Sequence, residues 1–192
     1  MKIEFETENK KLLAHLNEFA EKVTPGAQVS ALNSVAGKVR GEAVKVAARA
    51  TGVSTKILRK RIVVPKSKKA TLRRPNVIVF GGIWPVKVSK LTPKPRKLAS
   101  GRVKYKTPPG QSQDPNAFIA NHKGGGVAVF ARKGASRLPL KNITIDIGPA
   151  VRSAIGVYSR SADAQRHYEK IFFSQMDRRV RSSLRRKGLD VS

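Results

Sequence analysis

Apolar positions along the chain change their period from one stretch to the next, and each change marks an element. From Val29 onward, Val29, Leu32, Ala36, Val39, Ala43, Val46 and Ala50 alternate spacings of three and four. That is a seam of about three heptads, and it predicts a long helix. Many of these residues are small, which permits close helix packing. Packing within the domain is the simpler reading of the seam; a subunit interface is the sharper one. Ahead of it, Asn9–Lys22 predicts an amphipathic helix, with Leu12, Leu16, Phe19, Ala20 and Val23 on one side. Pro25-Gly26 ends that helix and opens the next. Ile3 and Phe5 alternate with Glu4 and Glu6, a candidate short strand. Thr51-Gly52-Val53-Ser54 breaks the long helix, and Ser54 is suited to cap a further one over Thr55–Val63.

Beyond residue 75 the period shortens to two. Asn76–Phe80 and Trp84–Leu91 predict two strands joined by Gly81-Gly82, with Val86 and Val88 alternating with Lys87 and Ser89. Asn116–Gly148 reads as three short strands. Ala117–Asn121 and Val127–Arg132 flank a turn through Gly124, Gly125 and Gly126, and Ile143–Ile147 follows a second turn at Gly134–Ser136. In the last strand Ile143, Ile145 and Ile147 alternate with Thr144 and Asp146, the pattern of a sheet buried on one face. Pro149–Tyr158 is short and apolar, with an interruption expected at Gly156. Ser161 then caps a helix whose stripe is Ala164, Tyr168, Ile171, Phe172, Met176, Val180 and Leu184. Its other side is basic and ends in Arg185-Arg186-Lys187 before Gly188, where cations suit the helix dipole. Tyr168, Phe172 and Phe173 read as core rather than as a stacking platform. The fold class that results is α+β: a small, mostly antiparallel sheet, a long N-terminal helix pair, a C-terminal helix and an extended basic loop.

Charge changes the picture most. The chain has 192 residues and a formal net charge of +28, a surplus that repels itself in a compact state and implies an anionic partner. Its length suits a single domain, with 65–115 as a basic strand-and-loop arm. Between Glu42 and Asp114 there is no acidic residue, while Lys and Arg recur throughout. Thr92–Gly110 has little apolar content beyond Leu98, Val103 and Tyr105 and predicts an extended or disordered loop. A charge run is usually a solvated surface, but a stretch this long without a counter-charge points to contact with phosphates or an acidic protein. The candidate contact residues are Lys56, Arg59, Lys60, Arg61, Lys66, Lys68, Lys69, Arg73 and Arg74.

Other chemistry is sparse. With no cysteine there is no disulfide scaffold and no thiolate metal site. His15, His122 and His167 show no ligand spacing, so no metal and no cofactor is expected. Gly124-Gly125-Gly126 lacks the Lys-Ser/Thr ending of a phosphate loop, the carboxylates are few, and no catalytic residue is assigned. No apolar run approaches the roughly 20 residues that span a bilayer. The N-terminus MKIEFETENK has no apolar signal region, so a soluble intracellular protein is expected. Residues 48–54 followed by KILRKRI resemble the turn of a helix-turn-helix. An ordinary helical corner is the better explanation, because the first helix is longer than such a motif needs, no compact third helix follows, and the second helix offers Lys and Arg rather than base-reading side chains.

The order of parts carries a resemblance. PGAQVSALNSVAGKV opens a long helix; KILRKRI and Lys68–Thr71 follow; later come AFIANHKGGGVAVFAR, RLPLKNITIDIGPAV and a basic C-terminal helix. This arrangement resembles the minor tail protein Z family of tailed bacteriophages, the lambda-like tail-completion proteins, over about residues 25–155. Pro25-Gly26 with Ala31, Asn33 and Val35, the Ala117-Phe118-Ile119 strand, and Leu138-Pro139 carry it most sharply, whereas Thr92–Gly110 diverges. The resemblance implies a structural virion protein at the head-proximal end of the tail, joining tail to head or neck and helping to position the DNA end for ejection. It further implies a homo-hexameric ring beside a tail terminator and head-completion proteins, with no membrane and no small-molecule substrate. A free-standing basic nucleic-acid-binding protein, architectural, ribosome-associated or helix-turn-helix, is the alternative that charge alone would fit.

Overall fold

The computed structural model describes residues 23–91, 94–107, 113–121, 127–134, 136 and 138–186, with 17 and 21 besides. The candidate strand at Ile3 and Phe5, nearly all of the helix predicted over Asn9–Lys22, the Gly124–Gly126 turn, His15, His122 and Gly188 lie outside the described residues. In chain order the elements are α1 (Thr24–Thr51), α2 (Thr55–Arg61), β1 (Ile62–Val63), β2 (Phe80–Gly81), β3 (Val86–Lys87), β4 (Arg96–Lys97), β5 (Val103–Lys104), β6 (Phe118–Asn121), β7 (Val127–Arg132), β8 (Leu140–Asn142), β9 (Thr144–Ile145), α3 (Gly148–Ser159) and α4 (Ala162–Arg186). Short 3-10 turns occupy Lys66–Lys68 and Val88–Lys90. The fold is α+β, with a long helix towards each end and small antiparallel sheets between them.

The chain divides into two compact units. One takes residues up to 38, 64–78 and 160 onward; the other takes 39–63 and 79–159. In the first, α1 places Ala27, Ala31 and Ala36 in the core, and Ala164 of α4 is buried as well. Tyr168, Ile171, Phe172, Met176, Val180 and Leu184 lie half-buried along α4, so the predicted stripe is the packed face. Two contacts fix the helix pair: Ser34 Oγ lies 3.0 Å from His167 Nε2, and Arg179 donates to Ser30 Oγ at 3.3 Å. Ser161 begins α4 as expected, its hydroxyl accepting from the Ala164 amide at 3.2 Å. Phe173 departs from its reading as core: it is 66 % exposed and meets Phe172 edge-on. Next to Phe172 on a helix, a residue is turned by about 100°, so the two rings cannot share one buried face.

In the second unit the buried positions of α1 are Val39, Ala43, Val44, Ala47 and Thr51. Across the whole helix the buried line is therefore not the heptad seam. Val29 and Leu32 are half-buried, and Val46 is 46 % exposed. An α-helix drifts by about 20° per heptad against a strict seven-residue repeat, so over 28 residues a straight helix turns the end of the seam away from its core. Gly52 follows α1 with φ +72° and donates to the Ala48 carbonyl at 2.9 Å. That is the left-handed stop for which glycine is suited. The second helix ends at Arg61, two residues earlier than predicted, because β-branched Ile62 and Val63 leave it to pair with β2.

The strands pair differently from the expectation. Asn76–Phe80 and Trp84–Leu91 do not form a hairpin: β2 pairs with β1, setting Ile62 opposite Gly81, and β3 pairs with β9, setting Val86 opposite Ile145. The hairpin of β6 and β7 is as predicted, with Phe118 opposite Phe130. Its third strand is Leu140–Asn142 rather than Ile143–Ile147. Ile143, Ile145 and Ile147 are nonetheless buried and Thr144 and Asp146 exposed, so the predicted alternation holds, while the strand that carries it pairs with β3 rather than with β7. Thr92–Gly110 is also not without structure where it is described: β4 and β5 form a hairpin, and Val103 and Tyr105 join the core. Helix α3 runs through Gly156 without interruption. Burial of Val151 and Ala154 offsets the roughly 1 kcal/mol that an interior glycine costs.

Candidate functional site

The nine candidate cations do not form one surface within one unit. Lys56, Arg59, Lys60 and Arg61 belong to the second unit, and Lys66, Lys68, Lys69, Arg73 and Arg74 to the first. Every one is exposed except Arg61, which is half-buried. The ion pairs among the described residues are Lys45–Glu42, Lys141–Asp114, Arg166–Asp163 and Arg181–Asp177. None of the nine takes part, so their charge is uncompensated there.

In the second unit α2 presents its cations because its opposite side is committed to the core, where Leu58 is fully buried. Three of them sit in its last turn, where the helix dipole favours positive charge. Arg40 of α1 secures that end. Its guanidinium donates to the Ile62 carbonyl at 2.8 Å and to the Arg59 carbonyl at 3.0 Å, satisfying acceptors that a helix terminus leaves free. Lys56, Ile57, Lys60 and Arg61 then line a groove of about 360 Å3 whose other wall is Pro85, Val86, Lys87 and Lys90. Trp84 stands beside it, 61 % exposed, with the Arg61 guanidinium 5.6 Å from its ring centre, a cation–π contact. Phe80 lies 6.4 Å from the same ring and is 47 % exposed. Gly82 makes room for this arrangement. Its amide donates to the Arg61 carbonyl at 2.8 Å, and a Cβ there would fall 2.9 Å from the indole.

In the first unit the basic loop is tied to α1 by one side chain. Asn33 donates to the Ala70 carbonyl at 3.0 Å and accepts from the Ala70 amide at 2.9 Å. Thr71 and Arg74 close a turn with paired backbone bonds, and the Arg74 guanidinium is bound to the carbonyls of Ser67 and Lys69. Arg74 is thus partly spent on holding the loop, whereas Lys66, Lys68, Lys69 and Arg73 point their charge outward. His167 sits nearby on α4, and burial, then Lys38 and Lys170, push its pKa below the usual imidazole value. The remaining candidates divide by position: Ala36, Val39 and Ala43 are used in intrachain packing, Val29 and Leu32 in part, and Val46 is open.

Reading the chain for charge alone overlooked Arg40, Lys87, Lys90 and Trp84. The run Gly81-Gly82-Ile83-Trp84 was the available signal, since paired glycines before an aromatic residue suit a close backbone approach. Among the described residues no group of three His, Cys, Asp or Glu could hold a metal ion, and no helix is long and apolar enough to cross a membrane.

Fold and surface together define a small α+β protein built to present unneutralised cations, with exposed aromatic rings beside them. The chain matches prophage minor tail protein Z over residues 9–187 and belongs to that family. The match takes in both flanks of the core resemblance and the basic hairpin region. No curated protein and no solved structure matches the chain significantly. It is a structural protein of a bacteriophage tail, associated with the virion.

Proposed function

We propose that the chain completes the head-proximal end of the tail, joins tail to head or neck, and helps to position the DNA end for ejection. It does so as a homo-hexameric ring between a tail terminator and head-completion proteins. The observation that carries the DNA part is the groove at Lys56, Lys60, Arg61, Lys87 and Lys90 beside Trp84, whose cations have no carboxylate partner among the described residues. Phosphates or acidic residues of a neighbouring subunit would supply the missing negative charge, and Lys66, Lys68, Lys69 and Arg73 of the other unit call for anionic partners of their own. This role calls for positioning and adhesion only, with no catalytic residue and no cofactor.

Cryo-electron microscopy of the virion neck tests the location directly. Density for this chain as a ring between tail and head is expected, and its absence from purified virions would sink the proposal. The DNA part is tested with virions carrying Lys56→Gln, Lys60→Gln and Arg61→Gln together. Loss of packaged DNA or slowed ejection is expected; unchanged retention and ejection would remove DNA from the mechanism. The corner at Gly52 gives little support to a sequence-specific reader, because α2 has only 7 residues and passes directly into β1.

A further inference from the structure

In the β4–β5 hairpin, β5 sorts its side chains by face, while β4 exposes both Arg96 and Lys97. Val103 and Tyr105 are 4 % and 5 % exposed and enter the core, so alternation puts Arg102, Lys104 and Lys106 on the outer face. The register sets Arg96 directly opposite Lys104, which places Lys94 on that same face. All five cations are exposed, and Lys94, Arg96, Lys104 and Lys106, with Leu98, surround a concavity of about 660 Å3. None of them has a carboxylate partner among the described residues.

Like charges directly opposite one another destabilise an antiparallel pair, and strands this short offer little ladder to offset that. The hairpin is held from its inner face instead. The Tyr105 hydroxyl accepts from the Asp114 amide at 3.0 Å, and the Gln113 side chain donates to the Tyr105 carbonyl. One outer-face side chain adds to the hold without giving up its exposed charge: the aliphatic stem of Lys106 lies over Gly52, where a Cβ would come within 2.7 Å of it. The chain therefore anchors a ribbon whose outer face repels itself.

We propose that this face is a second anion-binding site, and that its ligand is the phosphate backbone of double-stranded nucleic acid, bound without regard to sequence. The proposal rests on the DNA part of the proposed function and adds a site to it. A two-stranded ribbon fits the major groove, about 12 Å wide, and duplex DNA offers one charge per roughly 1.7 Å of its axis. Composition favours nucleic acid over an acidic protein: protein–protein interfaces are depleted of Lys at their core, whereas protein–DNA interfaces are strongly positive. The face carries no Asn or Gln with which to read base edges.

The test uses the full chain and a labelled duplex of random sequence, titrated between 50 and 200 mM salt. Removing three phosphate contacts with Arg96→Gln, Arg102→Gln and Lys104→Gln is expected to lower the slope of log K against log salt by about 2.7, at about 0.9 per contact. Because like charges are relieved, the unfolding midpoint should not fall. Arg96→Lys should keep the slope. If the triple variant does not fold, Arg96→Gln alone should lower the slope by about 0.9, and no change would overturn the proposal. An unchanged slope in the triple variant, alongside a lowered one for Lys56→Gln/Lys60→Gln/Arg61→Gln, would overturn the ribbon site and leave the groove standing. No duplex binding by the parent chain would bring down the DNA part of the proposed function as well. Binding of poly-glutamate as tightly as duplex, lost equally in the triple variant, would assign the face to an acidic protein and overturn the proposal.

Discussion

His167 and Asn33 are single side chains on which the first unit depends in different ways. His167 is held against Ser34 Oγ, and burial, then Lys38 of α1 and Lys170 of α4, lower its pKa from 6.5. The folded protein thus takes up a proton there less readily than the unfolded chain. The stability linked to His167 is complete above about pH 6.5 and falls as pH drops towards the lower folded value. The unfolding midpoint should therefore decline between pH 7.5 and 5, and His167→Gln should reduce that decline; an identical pH profile would refute the assignment. Asn33 works through geometry rather than charge. Asn33→Ala leaves the amide and carbonyl of buried Ala70 without their partner, which should cost about 1–3 kcal/mol in urea unfolding. Faster hydrogen exchange at Ala70 should accompany the loss.

Helix α3 shows how the space around a glycine decides what a methyl group does. A Cβ on Gly81 of β2 would fall 2.7 Å from Val151 Cγ1 and 2.8 Å from Ile155 Cδ1, both on α3. Gly81→Ala should therefore overpack this contact and destabilise by about 1–3 kcal/mol. Gly156 lies within α3 with nothing in 4 Å of a Cβ, so Gly156→Ala should stabilise by about 0.5–1 kcal/mol. Denaturant midpoints for the pair should move in opposite directions, and movement in the same direction would contradict the packing described. The expectation that Gly156 breaks this segment weighed backbone propensity alone; the buried face of α3 outweighs it.

For the whole molecule, the open question of the α1 seam becomes a question of assembly. Val46 lies on the seam of α1 and is 46 % exposed, which suits an edge that a neighbouring copy would bury in the proposed ring. Native mass spectrometry of the wild-type chain should then show hexamers. Val46→Glu should shift them to smaller species while leaving the unfolding midpoint unchanged. A ring that survives the substitution would place the interface elsewhere.

Periodicity is a property of neighbouring residues, and where structure follows from neighbours it could be read directly. The stripe of α4, the Ser161 cap, the Gly52 corner, the β6–β7 hairpin and the buried alternation of Ile143, Ile145 and Ile147 all belong to this class, as does the run of cations without acids. Pairing is a property of distant residues. Strands of two residues such as β1, β3 and β9 hold too little pattern to name their partners, so their register comes from the core that gathers them. The same holds for the surfaces. The amino-acid sequence determined that the chain would be basic and that its cations from Glu42 to Asp114 would have no acid between them. Only the tertiary structure brought Lys87 and Lys90 across from α2 and laid Arg61 over Trp84. It also divided the basic run between two units and turned five cations of one hairpin outward, because burying Val103 and Tyr105 leaves their neighbours no other side to occupy.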